Sequence, residues 1–283
     1  MQVIDRVAAW RKALDAERAA GRAVGLVPTM GALHAGHAAL IARAAAECDV
    51  VGVTVFVNPL QFGAGEDLAA YPRRLDDDEA LAASCGAGYL FAPPVEEMYP
   101  RPAATTVSVP ALAARWEGEG RPGHFDGVAT VVVKLLAQAG PCRAYFGQKD
   151  FQQLCVVRRL VADLDLPVAV VGCETVRDPD GLALSSRNAY LTPEERRAAP
   201  VLHRALEAGA AALAHGASPD DARRAMHAVL STEPAVAVVY AEPVDPDTLD
   251  PLAAALPHGG SARLLIAARL GGTRLIDNLG VTR

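Results

Sequence analysis

The sequence predicts an α/β fold, with a parallel sheet in the N-terminal part of the chain and a smaller α+β region after it. Three observations carry this expectation. Val50 to Val57 is an almost unbroken β-branched and aromatic run closed by Asn58 and Pro59, the pattern of a strand buried on both faces. Runs of this kind alternate with helical stretches as far as Cys173, which is the βαβ arrangement. From Pro193 onward, Ala-rich helices give way to three β-like runs.

In chain order, residues 5 to 20 place Val7, Ala8, Leu14 and Ala19 among charges and read as an amphipathic helix. A strand follows at 23 to 28, a helix at 36 to 48, and the strand at 50 to 57. Asp76 to Gly86 reads as a helix and Gly88 to Ala92 as a short strand ended by Pro93 and Pro94. Beyond a Pro-rich stretch at 93 to 110, Gly127 to Ala139 is helical, Arg143 to Phe146 a strand, Phe151 to Leu164 a helix and Val168 to Cys173 a strand. Helices are expected at 193 to 215 and 219 to 231, and strands at 235 to 241, 262 to 268 and 273 to 277. The division is therefore a Rossmann-like domain at 1–176 and a smaller α+β domain at 177–283.

The chain has 283 residues, 51% of them hydrophobic and 21% charged, enough for two cores. A net charge of -6 argues against a nucleic-acid partner, because phosphate-backbone binding needs a dense basic surface. Five cysteines, widely spaced and without a CxxC pair, fit reduced thiols in a cytoplasmic protein. The N-terminus lacks the apolar core of a signal peptide, and no apolar run is long enough to span a membrane.

Four loops at predicted strand ends carry chemistry. VPTMGALHAGH, Val27 to His37, turns a strand into a helix; a helix N-terminus favours an anion, and glycine admits it closely. Beside Gly31 and Gly36, the imidazoles of His34 and His37 read as donors to a phosphate. The alternatives are two histidines capping a helix, or a zinc site for which sequence supplies no neighbouring third ligand. FVNPLQF places Gln61 at a strand end, where an amide can bind a small polar substrate, although Asn58–Pro59 alone is an ordinary strand terminator. FGQKDFQQ supplies Gly147, Lys149 and Asp150. In DPDGLALSSRNAYL, a turn at Asp178 to Gly181 precedes Ser185, Ser186 and Arg187, a hydroxyl and guanidinium cluster suited to a triphosphate. The run LDDDEA reads as a solvated helix start with Asp77 as its cap.

Together PTMGALHAGH, FVNPLQF, FGQKDFQQ and LSSRN resemble, in order and spacing over nearly the whole chain, the pantothenate synthetase (pantoate–beta-alanine ligase) family. YPR at 71–73, RPGHFDGV at 121–128 and RLIDN at 274–278 extend the likeness, and Leu33 to His37 resembles the HIGH motif of a nucleotidyltransferase superfamily. The resemblance implies an ATP-dependent condensation of pantoate with beta-alanine through a pantoyl adenylate, with Mg2+ and a homodimer. It implies catalytic roles for His34, His37 and Lys149. It implies ATP contacts from Met30, Gly31, Ala32, Leu33, His34, Ala35, Gly36, His37, Gly147, Gln148, Lys149, Asp150, Val176, Leu184, Ser185, Ser186 and Arg187. Gln61 and Gln153 would hold pantoate, and Gln61 would also reach beta-alanine. One departure is visible, Gln148 where the family usually has Glu.

Overall fold

The computed structural model describes residues 1–63, 68–69, 71–101 and 104–283, so that residues 102 and 103 of the Pro-rich stretch lie outside the described residues. Two compact units emerge: residues 1–148 with 152–174, and residues 149–151 with 175–283.

The first unit holds β1 (Gln2–Ile4), α1 (Val7–Ala19), β2 (Val24–Thr29), α2 (Ala35–Glu47), β3 (Val50–Val55), α3 (Leu75–Ser84) and β4 (Tyr89–Phe91). Three single-turn helices follow, α4 (Val95–Met98), α5 (Pro110–Ala113) and α6 (Glu117–Gly120). Then come α7 (His124–Ala139), β5 (Cys142–Gly147), α8 (Phe151–Asp163) and β6 (Val168–Cys173). The six strands are parallel, in the order β1-β4-β3-β2-β5-β6. The chain leaves β2 toward β3 on one side, while β5 pairs with β2 on the other. The C-terminal ends of β2 and β5 thus flank the switch point at which open α/β sheets bind ligands.

Alternation along β3 sorts the helices between the two faces. Val51 and Val53 pack with Leu40, Ile41 and Ala44 of α2. Gly52 between them points the other way, where an added Cβ would lie 2.4 Å from the Trp10 ring, so α1 covers the opposite face. Trp10 is fully buried and stacks on Phe91 at 5.0 Å. Among the described residues, strand β1 is the one unforeseen sheet member, too short at three residues to show a pattern.

The second unit contains α9 (Pro193–Ala198), α10 (Val201–Ala214), α11 (Pro219–Leu230), β7 (Val236–Val244), β8 (Ser261–Leu270) and β9 (Thr273–Thr282). The strands form an antiparallel sheet, β7-β8-β9, whose Leu264, Ile266, Ala268 and Leu275 pack with Leu202, Leu206 and Leu213 of α10 and Met226 of α11. The helix expected at 193–215 is broken after Ala198, where Pro200 has no N–H to donate to the preceding turn. Strand β9 runs on to Thr282, past the expected end at 277, because all ten of its residues pair with β8.

Candidate functional site

The loop after β2 ties itself down. Gly31 N donates to Thr29 Oγ1 at 3.1 Å. Ala32 N and Leu33 N both donate to the Asp78 carboxylate, at 3.1 and 2.7 Å. The grip requires left-handed backbone at Gly31 (φ 84) and Ala32 (φ 51), a strain on the order of 1 kcal/mol at the alanine. A Cβ at Gly31 would stand 2.8 Å from Asp78 Oδ2. The structural carboxylate of LDDDEA is therefore buried Asp78; Asp77, expected as the cap, is exposed. The reason is helical phase: Asp78 lies on the face of α3 turned toward the loop.

The two histidines cap α2 reciprocally. His34 Nδ1 accepts from Gly36 N at 3.1 Å, and His37 Nδ1 accepts from His34 N at 3.3 Å. A ring nitrogen that accepts holds no proton, so the neutral imidazoles both carry theirs on Nε2. The rings lie 4.2 Å apart, tilted by 47°. Capping and donation to an anion, alternatives at the level of sequence, are thus compatible, because capping uses Nδ1 and leaves the proton on Nε2. The amides of 31, 32, 33, 34 and 36 already serve protein acceptors. Among the described residues, no group of three or more His, Cys, Asp or Glu is placed to hold a metal ion.

Gln61 ends a 3-10 turn at Pro59–Gln61 and is buried. A chain of hydrogen bonds fixes which way its amide faces. Tyr99 Oη donates to Asn58 Oδ1 at 2.9 Å; Asn58 Nδ2 then donates to Gly127 O at 3.0 Å and to Gln61 Oε1 at 3.1 Å. Gln61 Nε2 is left facing Met30 Sδ at 2.8 Å, which joins this turn to the β2–α2 loop. Burial pushes the Tyr99 phenol up to about 12, so it stays a donor through the neutral range. The segment RPGHFDGV supports the same turn. Arg121 donates to His124 Nε2 at 3.0 Å, so His124 Nδ1–H donates to Gln61 O at 2.8 Å. A Cβ on Gly127 would lie 2.2 Å from Leu60 O, which is why the N-terminus of α7 can approach so closely. Sequence reasoning gave no role to Asn58, Tyr99 or His124; Asn58 reads as a terminator because two of its partners, Tyr99 and Gly127, lie 41 and 69 residues away.

At the end of β5, open space surrounds the position of a Gly147 Cβ. On α8, Gln152 is the buried amide: it donates to Leu112 O and Arg115 O, both at 2.8 Å, and accepts from Glu117 N at 3.1 Å. Gln153 beside it is half-buried. Met30 to His37, Gln61, Gly147, Gln148 and Gln153 all belong to the first unit.

Lys149, Asp150, Val176 and Leu184 to Arg187 belong to the second unit. The Lys149 side chain is 18% exposed, its ammonium 3.9 Å from Asp150 Oδ1. Lys149 O accepts from Asn278 Nδ2 at 2.7 Å. Leu184 N donates to Val176 O at 2.9 Å, and the expected turn closes with Gly181 N donating to Asp178 O at 2.9 Å. Ser185 Oγ caps a 3-10 turn (Ser186–Tyr190) by accepting from Arg187 N at 3.3 Å, leaving the hydroxyl proton to donate elsewhere. Arg177 clamps the loop: its guanidinium meets Asp277 at 2.6 and 2.9 Å and donates to Gly181 O at 3.0 Å.

Residues 2–280 match the family model described as pantoate-beta-alanine ligase. A pantothenate synthetase of Brucella canis is 50% identical over 279 residues, 98% of this chain and 94% of the relative. One from Rhizobium meliloti is also 50% identical, over 98% of this chain and 95% of its own. Among solved structures, pantothenate synthetase from Thermus thermophilus superposes with a TM-score of 0.93 at 52% identity, covering 100% of both chains. Pantoate-beta-alanine ligase from Francisella tularensis, complexed with beta-gamma ATP and beta-alanine, gives 0.79 at 32% identity, covering 99% of this chain and 97% of that one.

Proposed function

The chain belongs to the pantoate–beta-alanine ligase family, enzymes of ATP-dependent condensation, and from that premise we propose that it makes pantothenate through a pantoyl adenylate. In the first step a pantoate carboxylate oxygen attacks the α-phosphorus of ATP and pyrophosphate leaves. In the second, the beta-alanine amine attacks the acyl carbon and AMP leaves, forming the amide.

The observation that carries this reading is the reciprocal histidine cap. It orients two Nε2–H donors, which suits the charge that gathers on a five-coordinate phosphorus. Lys149 adds a cation. ATP would contact Met30 to His37, Gly147 to Asp150, Val176 and Leu184 to Arg187. The Gln61 Nε2–H, held facing Met30 Sδ, would donate to pantoate in place of that weak sulfur acceptor, with Gln153 as a second amide. Magnesium would ride on the ATP phosphates, its usual mode, and ease pyrophosphate departure.

We further propose a homodimer in the cytoplasm. Five free cysteines agree with a reducing compartment, and no helix among the described residues is long and apolar enough to cross a membrane. The decisive assay measures AMP from ATP, Mg2+, pantoate and beta-alanine with each omitted in turn. AMP should require all four; AMP without pantoate would overturn the assignment.

A further inference from the structure

RLIDN ends with two buried polar residues side by side, Asp277 at 4% and Asn278 at 3% exposure. Consecutive side chains on a strand point to opposite faces. Asp277 pairs in register with Ile266, which belongs to the core packed by α10 and α11, so it lies on the helix face. There it grips Arg177. Asn278 pairs with Leu265 on the other face, the face that also carries Arg263, two residues along β8. On that side Arg263 Nε donates to Asn278 Oδ1 at 2.7 Å, and the Arg263 guanidinium sits 4.2 Å over the Phe151 ring. With its oxygen turned to Arg263, the Asn278 amide directs Nδ2 to Lys149 O at 2.7 Å.

We propose that Asn278 is a positioning residue for Lys149: strand β9 fixes the turn that presents the ammonium, and so sets the rate of adenylation. This rests on the role given to Lys149 above. Residues 149–151 group with the second unit although they precede residue 175, and this hydrogen bond and the Arg263–Phe151 stack are two contacts that join them to it.

The test compares N278D, K149A and the double variant in pyrophosphate release from ATP and pantoate, with thermal midpoints alongside. N278D keeps an acceptor for Arg263 but turns the donor to Lys149 O into a carboxylate oxygen and adds a charge. N278S, which removes the donor without adding charge, is therefore measured beside it and must show the same loss. Expected are a kcat loss of roughly tenfold for N278D with pantoate KM unchanged, a loss of about a hundredfold or more for K149A, and a double variant no slower than K149A, the non-additivity of groups acting as a unit. Unchanged kcat in N278D, or a loss that multiplies in full with that of K149A, overturns the positioning role while leaving the wider reading intact. Normal kcat in K149A overturns the reading of Lys149 itself, and this inference with it. Should N278D fail to fold, N278S, which is too short to reach Lys149 O, carries the same comparison alone.

Discussion

The two loops proposed to contact ATP differ in how far their support reaches along the chain. Met30 to His37 is tied mainly to itself, through Thr29, His34 and His37, with one outside carboxylate, Asp78. The loop from Val176 to Arg187 also bonds to itself, Leu184 N to Val176 O and Gly181 N to Asp178 O. It adds two outside anchors, Arg196 on Asp178 and Asp180 and, 100 residues on, Asp277 on Arg177. A loop that caps itself is preformed wherever its helix forms. A loop that is also held by a remote strand depends in part on that strand, and the Arg177–Asp277 pair is its one buried ion pair among the described residues.

The largest effect is expected where that pair is broken. Arg177→Met would strand the buried Asp277 carboxylate and cost about 3–5 kcal/mol in chemical denaturation. The contrast predicts faster amide exchange at 177–187 and unchanged exchange at 30–37; equal changes in both loops would erase it. His37→Ala should follow, lowering adenylation by about 10²–10³-fold as lost donors to developing charge do, read as pyrophosphate release. If the loss fell on the beta-alanine step alone, the imidazole would have another task. Asp78→Asn should cost about 1.5–3 kcal/mol, because one amide N–H loses its charged acceptor, and should raise the KM for ATP without touching the Arg177 loop. Smallest is Gln148→Glu, which keeps size and polarity and should leave kcat within about twofold. A large gain would mean that the glutamine impairs the site.

The contrast also separates what could be read in the sequence from what could not. Strands β2 and β3 were legible because burial on both faces writes an unbroken apolar run, and β5 and β6, less buried, from their shorter aromatic and valine runs. The family was legible because four motifs fall at strand ends in the right order. The histidine pair was visible, yet the capping geometry was not, since the same spacing serves a helix face, a cap or a ligand pair. Asp77 was preferred to Asp78 because three consecutive acidic residues look alike until the helix has a phase. The structural roles of Asn58, Tyr99 and the RLIDN side chains were not legible, for one reason. Each makes a hydrogen bond that reaches across 41 to 129 residues, and no local pattern encodes such a partner.

Membership of residues 149–151 in the second unit bears on how the molecule can be dissected. Neither unit is a single length of chain, so a cut after residue 174 does not yield two self-sufficient fragments. The N-terminal piece would carry Phe151 and the Lys149 carbonyl without Arg263 and Asn278. The C-terminal piece would keep a buried amide with no acceptor, a penalty of about 1–3 kcal/mol. Mixed together, the fragments have in those three residues a specific reason to reassociate.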